Sequence, residues 1–449
     1  MFSKILIANR GEIALRIIRA CKEMGIATVA VYSQADRDAM HVSLADESYC
    51  IGPSPVAASY LNIGSILQIA VSTSSQAIHP GYGLLSENAK FAELCGECGI
   101  TFIGPSPDTI RKMGDKETAR RTMTAAGVPV VAGSGILENA QEALSEAERI
   151  GYPVMLKARS GGGGRGIRII NGPEELEAAF STASAEALGA FGDGALYMEK
   201  YISPVKHIEV QIIGDGSGNV ICLGERDCSV QRSNQKLLEE SPAPLLDDAT
   251  RRKMAEAAVA AGRAVGYTSV GTVEFLYDKN GDFYFCEMNT RLQVEHPVTE
   301  MVTGVDLVKW QIRVAAGVDF PFSQEDIKIN GHAIECRINA EDPSNGFRPS
   351  CGRINMLHIP GGPWVRFDSA VYQGCEIPPF YDSLIGKLIV FAREREEAIR
   401  KMKSALCELV TDGIVTNADL LLDILNDGEF VSGAYTTDFV RRKIGGGGK

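Results

Sequence analysis

Positive charge is in short supply: 45 Lys and Arg stand against 57 Asp and Glu, a formal net charge of −12. That balance argues against non-specific nucleic-acid binding, which needs a surplus of cations for phosphate contacts. Any anionic ligand must therefore meet a local cationic pocket. No stretch approaches the roughly 20 consecutive apolar residues of a membrane span, so no membrane partner is expected. The chain enters a strand-like run at once, Lys4-Ile5-Leu6-Ile7-Ala8, without the basic, apolar and cleavable segments of a leader. A soluble, cytoplasmic protein is the expectation. A disulfide framework is missing as well, because the 11 cysteines are odd in number and scattered from Cys21 to Cys407, as in a reduced intracellular enzyme. The zinc-like spacing of Cys95-Gly-Glu-Cys98 lacks a second Cys/His pair and is read as structural. His79 and His296, each before proline, are read the same way, and His41, His332 and His358 have no ligand-spaced partner.

What is present begins with size. A chain of 449 residues is too long for one core, since cores stop growing near roughly 250 to 300 residues. The opening reads strand, turn, helix, strand: Lys4 to Ala8, Asn9-Arg10-Gly11-Glu12, Ile13 to Met24 capped by Gly25, then Ala27 to Tyr32. This is a βαβ unit of a doubly wound α/β sheet. A dinucleotide-binding fold is weakened by the absence of three spaced glycines from the turn. Alternation continues to Thr101-Phe102-Ile103, and a helical stretch from Asp108 to Ala126 leads to a small lobe with a glycine loop and a helix at Pro173 to Ala185. A strand-rich remainder follows. The boundaries expected are 1–114, 115–132 as a helical linker, 133–202, and 203–445.

Three features carry chemistry. The first is a glycine run, Gly161 to Gly164 and Gly166, between strand-like Val154-Met155-Leu156-Lys157 and Ile167-Arg168-Ile169-Ile170. No Gly-Lys-Ser/Thr follows, so it is a hairpin tip rather than a P-loop. Its amides can approach phosphate oxygens, with Lys157 as a fixed cation beside them. The second is an acidic pair: a two-residue turn at Asn280-Gly281 places Glu274 opposite Glu287, where like charges repel unless a cation such as Mg²⁺ lies between them. A bulge would shift this register. Asn289 shares the face of Glu287 if the strand continues. The third is the alternation Arg291, Gln293, Glu295, in which a guanidinium could clamp a small planar oxyanion, an amide orient it and a carboxylate take its proton. Bicarbonate suits such an array.

These motifs, with His79-Pro80-Gly81-Tyr82-Gly83, Met113-Gly114-Asp115-Lys116, Glu225-Arg226-Asp227-Cys228-Ser229 and Glu335 to Pro343, occur in the order seen in biotin carboxylases. The chain resembles that family over essentially its whole length, and in particular the subunit that serves bacterial acetyl-CoA carboxylase. The resemblance implies an α/β chain with an α+β lid: a Rossmann-like (pre-ATP-grasp) N-terminal domain, an ATP-grasp domain with a mobile lid, and a C-terminal biotin carboxylase domain. It implies ATP, Mg²⁺ (or Mn²⁺), bicarbonate and carrier-bound biotin as cofactors and substrates. A biotin carboxyl carrier protein, carboxyltransferase subunits and a second copy of the chain are the implied partners. Lys116, Lys157, Gly163, Gly164 and Gly166 would face the ATP phosphates, and Glu199, Lys200 and Ile202 the adenine. His207, Gln231, Asn234 and Leu276 would complete the nucleotide pocket. Glu274, Glu287 and Asn289 would hold the metal, and Lys236, Arg291, Gln293, Val294 and Glu295 bicarbonate. Glu295 would be the base, with Lys236 and Arg291 assisting, while Arg337 would stabilise the biotin enolate and Tyr82 flank the ring.

Two departures from the family pattern stand out. Asn234 replaces a histidine common in relatives, which implies altered ATP contacts, and Arg159-Ser160 replaces small residues at the lid hinge. No biotinylation motif or carboxyltransferase segment is found, so both are expected on separate proteins. The same half-reaction could serve a pyruvate or another acyl-CoA carboxylase. An ATP-grasp carboxylate–amine ligase would share the phosphate and metal residues without needing Glu295 and Arg337. A non-catalytic nucleotide-binding module would need neither.

Overall fold

The computed structural model of the chain describes residues 1–159 and 167–445. A parallel sheet opens it: β1 (Lys4–Ile7), β2 (Ala27–Ser33), β3 (Glu47–Gly52), β4 (Ala77–His79) and β5 (Thr101–Phe102), in the order β3-β2-β1-β4-β5. Ile5, Leu6 and Ile7 are fully buried, as befits a central parallel strand covered on both faces. Helix α1 (Gly11–Glu23) buries Ile13, Ala14, Ile17, Ile18 and Cys21. It stops where Gly25 takes φ +70°, a left-handed conformation that costs glycine nothing. The turn before α1 is a joint between segments. Asn9 Nδ2 donates to the carbonyls of Pro80 (2.6 Å) and Tyr82 (2.8 Å), and Arg10 forks onto Asp36 at 2.7 and 2.8 Å.

The helical stretch after β5 is two helices, α2 (Pro107–Gly114) and α3 (Lys116–Ala125). Asp115 breaks the run because its backbone is extended and its side chain accepts from Thr118 N, capping the second helix. Next comes a four-stranded antiparallel sheet, β6 (Gly133–Leu137), β7 (Val154–Ala158), β8 (Ile167–Ile170) and β9 (Leu196–Lys200), ordered β6-β9-β7-β8. Helices α4 (Ala140–Ile150) and α5 (Pro173–Phe191), the latter six residues longer than the sequence pattern suggested, supply the other half of its core. Val154, Leu156 and Ala158 point into that core, so Met155 and Lys157 occupy the opposite face.

The third sheet has eight strands: β10 (Val205–Gly214), β11 (Val220–Arg232), β12 (Gln235–Ser241), β13 (Ser269–Asp278), β14 (Phe283–Asn289), β15 (His332–Asn339), β16 (Val365–Ser369) and β17 (Leu384–Ala392). All pairs are antiparallel, in the order β14-β13-β10-β11-β12-β15-β17-β16. Ile208, Val210 and Ile212 of β10 pack with Val273, Phe275, Met254 and Ala258, the last two from helix α6 (Asp248–Ala264). His207, Glu209 and Gln211 alternate with them and make a polar face. Helices α7 (His296–Thr303) and α8 (Leu307–Ala315) follow β14. Ile13 and Ile17 of α1 share one cluster with Ile213, Leu292, Leu307 and Ile312, which seats the parallel sheet against the large one.

Candidate active site

The acidic pair arises by a route the sequence did not indicate. Asp278 N donates to Asp282 O at 2.9 Å, so the β13–β14 loop holds three residues rather than two, with Gly281 at φ +89°. Tyr277, Leu276 and Phe275 then pair with Phe283, Tyr284 and Phe285, one residue out of the expected register. A bulge at Cys286 restores it, and Glu274 faces Glu287 while Thr272 faces Asn289. The two departures cancel. The charge of Glu274, then burial, raises the pKa of Glu287 above its ordinary value. Lys116, His207 and Lys236 offset this repulsion only in part, and a divalent cation would remove the rest, so the donor set fits a magnesium ion.

Glu274 is itself deeply engaged. Its Oε1 accepts from Asn289 Nδ2 (2.8 Å), Gln293 Nε2 (2.8 Å) and Lys236 Nζ (3.1 Å), and its Oε2 lies 2.8 Å from His207 Nε2. Burial alone would raise its pKa, but Lys236 and His207 outweigh burial and hold it well below the usual range. Lys236 sits at the centre, paired with Glu209, with Glu274, and with Glu295 Oε1 at 2.8 Å. Arg337 donates from Nε to Glu239 Oε1 (2.7 Å) and from Nη2 to Glu295 Oε2 (2.9 Å). Each oxygen of the buried Glu295 therefore faces one cation. Burial opposes its ionisation, yet Lys236, Arg337 and Arg226 hold its pKa well below ordinary.

Residues 290–295 do not continue β14 as a strand; they form a turn leading into α7, with Glu295 at the position before the helix. Pro297 sets this change, since proline suits the first turn of a helix and disrupts a central strand. Arg291 consequently binds Glu87 Oε2 (2.9 Å) and Asn289 Oδ1 (2.9 Å). Gln293 takes a bond from the fully buried Arg226 Nη2 at 2.7 Å. Val294 offers its carbonyl to Lys387 Nζ at 2.8 Å. Lys236, Arg291, Gln293, Val294, Glu295, Arg337 and Tyr82 line one cavity of about 520 Å³.

A second cavity of about 240 Å³ is lined by Lys116, Lys157, Glu199, Glu287 and Asn289. Lys157 is paired with Glu199 across β7 and β9. The Lys200 ammonium ties down the carbonyls of Gly151 and Tyr152 at 2.8 Å each, and its backbone N–H donates to the Ala132 carbonyl at 2.8 Å. Gln231 is buried, and Ile202 and Leu276 are half-buried on β10's neighbouring segments. Gly163, Gly164 and Gly166 lie outside the described residues. Asn234 and Ser233 form the β11–β12 turn with φ of +66° and +48°, which places Asn234 on the Arg337 cavity and not on the Lys157 cavity. Its residue type matches the left-handed turn it occupies.

Several residues of the site were missed in the sequence. Glu209 touches Lys236 and is pushed up to about 7 by burial against the pull of Lys236. Its signal was available, as the polar member between His207 and Gln211 in an otherwise apolar alternation. Arg226 lay within a noted motif. Glu87, Glu239 and Lys387 gave none.

Three family descriptions match the chain: biotin carboxylase, N-terminal domain, over residues 1–110; carbamoyl-phosphate synthase L chain, ATP binding domain, over 115–322; and biotin carboxylase C-terminal domain, over 335–442. Biotin carboxylase 1 of Bacillus subtilis is 58% identical over 442 residues, 98% of each chain, and the biotin carboxylase of Haemophilus influenzae 55% over 447, 99% of each. Among solved structures, the Campylobacter jejuni biotin carboxylase complex superposes with a TM-score of 0.95 at 53% identity, covering 98% of this chain and 99% of that one. The biotin carboxylase domain dimer of Hydrogenobacter thermophilus 2-oxoglutarate carboxylase, solved with MgADP, ADP and bicarbonate, gives 0.94 at 54%, covering 98% of each.

Proposed function

Since the chain belongs to the biotin carboxylase family, we propose that the cavity around Glu295 is where bicarbonate and biotin meet the nucleotide. The enzyme catalyses ATP-dependent carboxylation of biotin with bicarbonate. The observation that carries the site assignment is the Glu295 carboxylate held between Lys236 at 2.8 Å and Arg337 at 2.9 Å. It puts a base and two cations on one cavity wall, with Glu274 joined to the same lysine.

In this reading Lys236, Arg291, Gln293 and the Val294 backbone bind bicarbonate, and Glu295 takes its proton. The freed carbonate oxygen attacks the γ-phosphorus of ATP, the bond to the β–γ bridging oxygen breaks, and ADP leaves with its electron pair. Carboxyphosphate results. Its C–O bond cleaves to CO₂ and phosphate, the phosphate removes the ureido proton, and the biotin nitrogen attacks CO₂ while Arg337 stabilises the enolate oxygen. Glu274, Glu287 and Asn289 would hold Mg²⁺, which spreads charge on the transferring phosphoryl group. Lys116, Lys157 and the glycines of the hairpin attract the phosphates, and the backbone of Glu199 to Ile202, with His207, Gln231 and Leu276, surrounds the base. Tyr82 flanks biotin. Asn234, on the Arg337 side, borders biotin more closely than ATP.

Beyond the half-reaction we assign a biotin carboxyl carrier protein and carboxyltransferase subunits as partners, acetyl-CoA as the final acceptor, a homodimer as the assembly and the cytoplasm as the compartment. Among the described residues no helix is long and apolar enough to cross a membrane. The test is ATP hydrolysis with bicarbonate and free biotin varied independently. ADP release that needs bicarbonate and rises with biotin is expected. Turnover indifferent to bicarbonate, or dependent on an amine, would overturn the assignment.

A further inference from the structure

β17, Leu384-Ile385-Gly386-Lys387-Leu388-Ile389-Val390-Phe391-Ala392, contains one charged residue, and that residue is completely buried. Lys387 faces Arg337 directly across the β15–β17 pairing. Two cations opposed on adjacent strands repel, and burying an ammonium away from water is costly. A methionine would fill a similar volume without either penalty. Packing therefore does not account for a lysine here.

Its contacts do. Nζ donates to the Val294 carbonyl at 2.8 Å and lies 3.2 Å from Glu12 Oε1. The same Glu12 oxygen accepts the hydroxyl of Tyr82, whose ring centroid is 5.9 Å from Nζ. The Val294 carbonyl belongs to the peptide that carries Glu295, so fixing it fixes where the Glu295 side chain starts. Glu12 and Tyr82 line the same 520 Å³ cavity as Val294 and Glu295. Glu12 Oε2 and both oxygens of the fully buried Glu335 have no hydrogen-bond partner, which leaves Lys387 as the nearest compensation for this acidic layer beneath the cavity.

We propose that Lys387 is a positioning residue for the carboxylation reaction: from below the cavity it ties the Val294–Glu295 peptide to the Glu12–Tyr82 wall and so sets the base against Arg337. This rests on the reading of Glu295 and Arg337 given above. Among the described residues Lys387 contacts none of the metal-facing carboxylates, so its effect falls on one side of the site.

The test compares wild type with Lys387→Met in bicarbonate-dependent ATP hydrolysis, with and without free biotin, after circular dichroism has verified the fold. A displacement of the base by about 1 Å costs about 10- to 100-fold in kcat, and that loss is expected with the KM for ATP within about twofold of wild type, as for any group acting on positioning rather than on uniform binding. A kcat near the wild-type value, or a kcat loss matched by an equal rise in the KM for ATP, would overturn the inference. Should Lys387→Met fail to fold, Glu12→Gln removes the anchoring charge with little change of shape. It is expected to lower kcat in the same selective way, and an unaltered kcat there would refute the tie. Wild-type enzyme lacking bicarbonate dependence would instead indict the site reading on which the proposal stands.

Discussion

A carboxylate that faces two cations is a weak base until something else claims them. Glu295 shares Lys236 with Glu209 and Glu274, and shares Arg337 with Glu239. In the proposed mechanism, an entering oxyanion that draws on Lys236 and Arg337 weakens their hold on Glu295 and raises its basicity at the moment a proton has to be taken. Glu239 keeps Arg337 in place meanwhile, since it is fully buried and bonds Nε at 2.7 Å. Arg337→Ala should therefore lower biotin-dependent kcat by about 100-fold, the usual loss when one donor to a developing oxyanion is removed. The KM for ATP should stay within about twofold, because Arg337 lines the Glu295 cavity and not the one that holds Lys157. Steady-state kinetics with ATP and biotin varied separately would check this, and parallel losses in both would count against the role of Arg337.

Alternation along single strands decides which side chains reach the site. β7 sends Val154, Leu156 and Ala158 into the lid core, which leaves Lys157 free of any packing duty. Lys157→Met should leave the unfolding midpoint unchanged while raising the KM for ATP about tenfold or more, the worth of one charged hydrogen bond. Calorimetry and ATP titration would check the two halves separately. Such alternation was legible in the sequence, and with it β1, α1, β7 and the strand pair that opposes Glu274 to Glu287. The β13–β14 pairing is instructive because a longer loop and the Cys286 bulge each shift the register by one residue in opposite senses. Neither has a signature strong enough to outweigh Asn280-Gly281. The alternation from Arg291 to Glu295 suits a strand but forms a turn ahead of a helix, and Pro297 is the better guide to it. Glu239, Glu87 and Lys387 were invisible for another reason. Their importance comes from strand neighbours set by the order β12-β15-β17 and by loops far apart in the chain, and no local pattern records that order.

Across the whole molecule the parallel and large sheets are joined by apolar packing around Ile13, Ile213 and Leu307 and by polar ties such as Arg16 to Glu300 at 2.9 Å. Buried neutral histidines make this assembly sensitive to acid. His41 and His79 are fully buried, and burial pushes them down to about 4 and about 3 from 6.5. The folded pKa lies below the unfolded one, so the unfolded chain binds more protons in between. Stability is complete above pH 6.5 and is lost as the pH falls toward about 4. Replacing His41 by leucine should flatten the decline of the unfolding midpoint between those limits, and an unchanged slope by scanning calorimetry would contradict the assignment. The central claim concerns one bond, from a bicarbonate oxygen to the γ-phosphorus of ATP, made beside Glu295. Turnover in bicarbonate enriched in oxygen-18, followed by mass analysis of the inorganic phosphate, reads that bond directly. One labelled oxygen carried into each phosphate is the expected result, whereas phosphate whose new oxygen comes from water would contradict it.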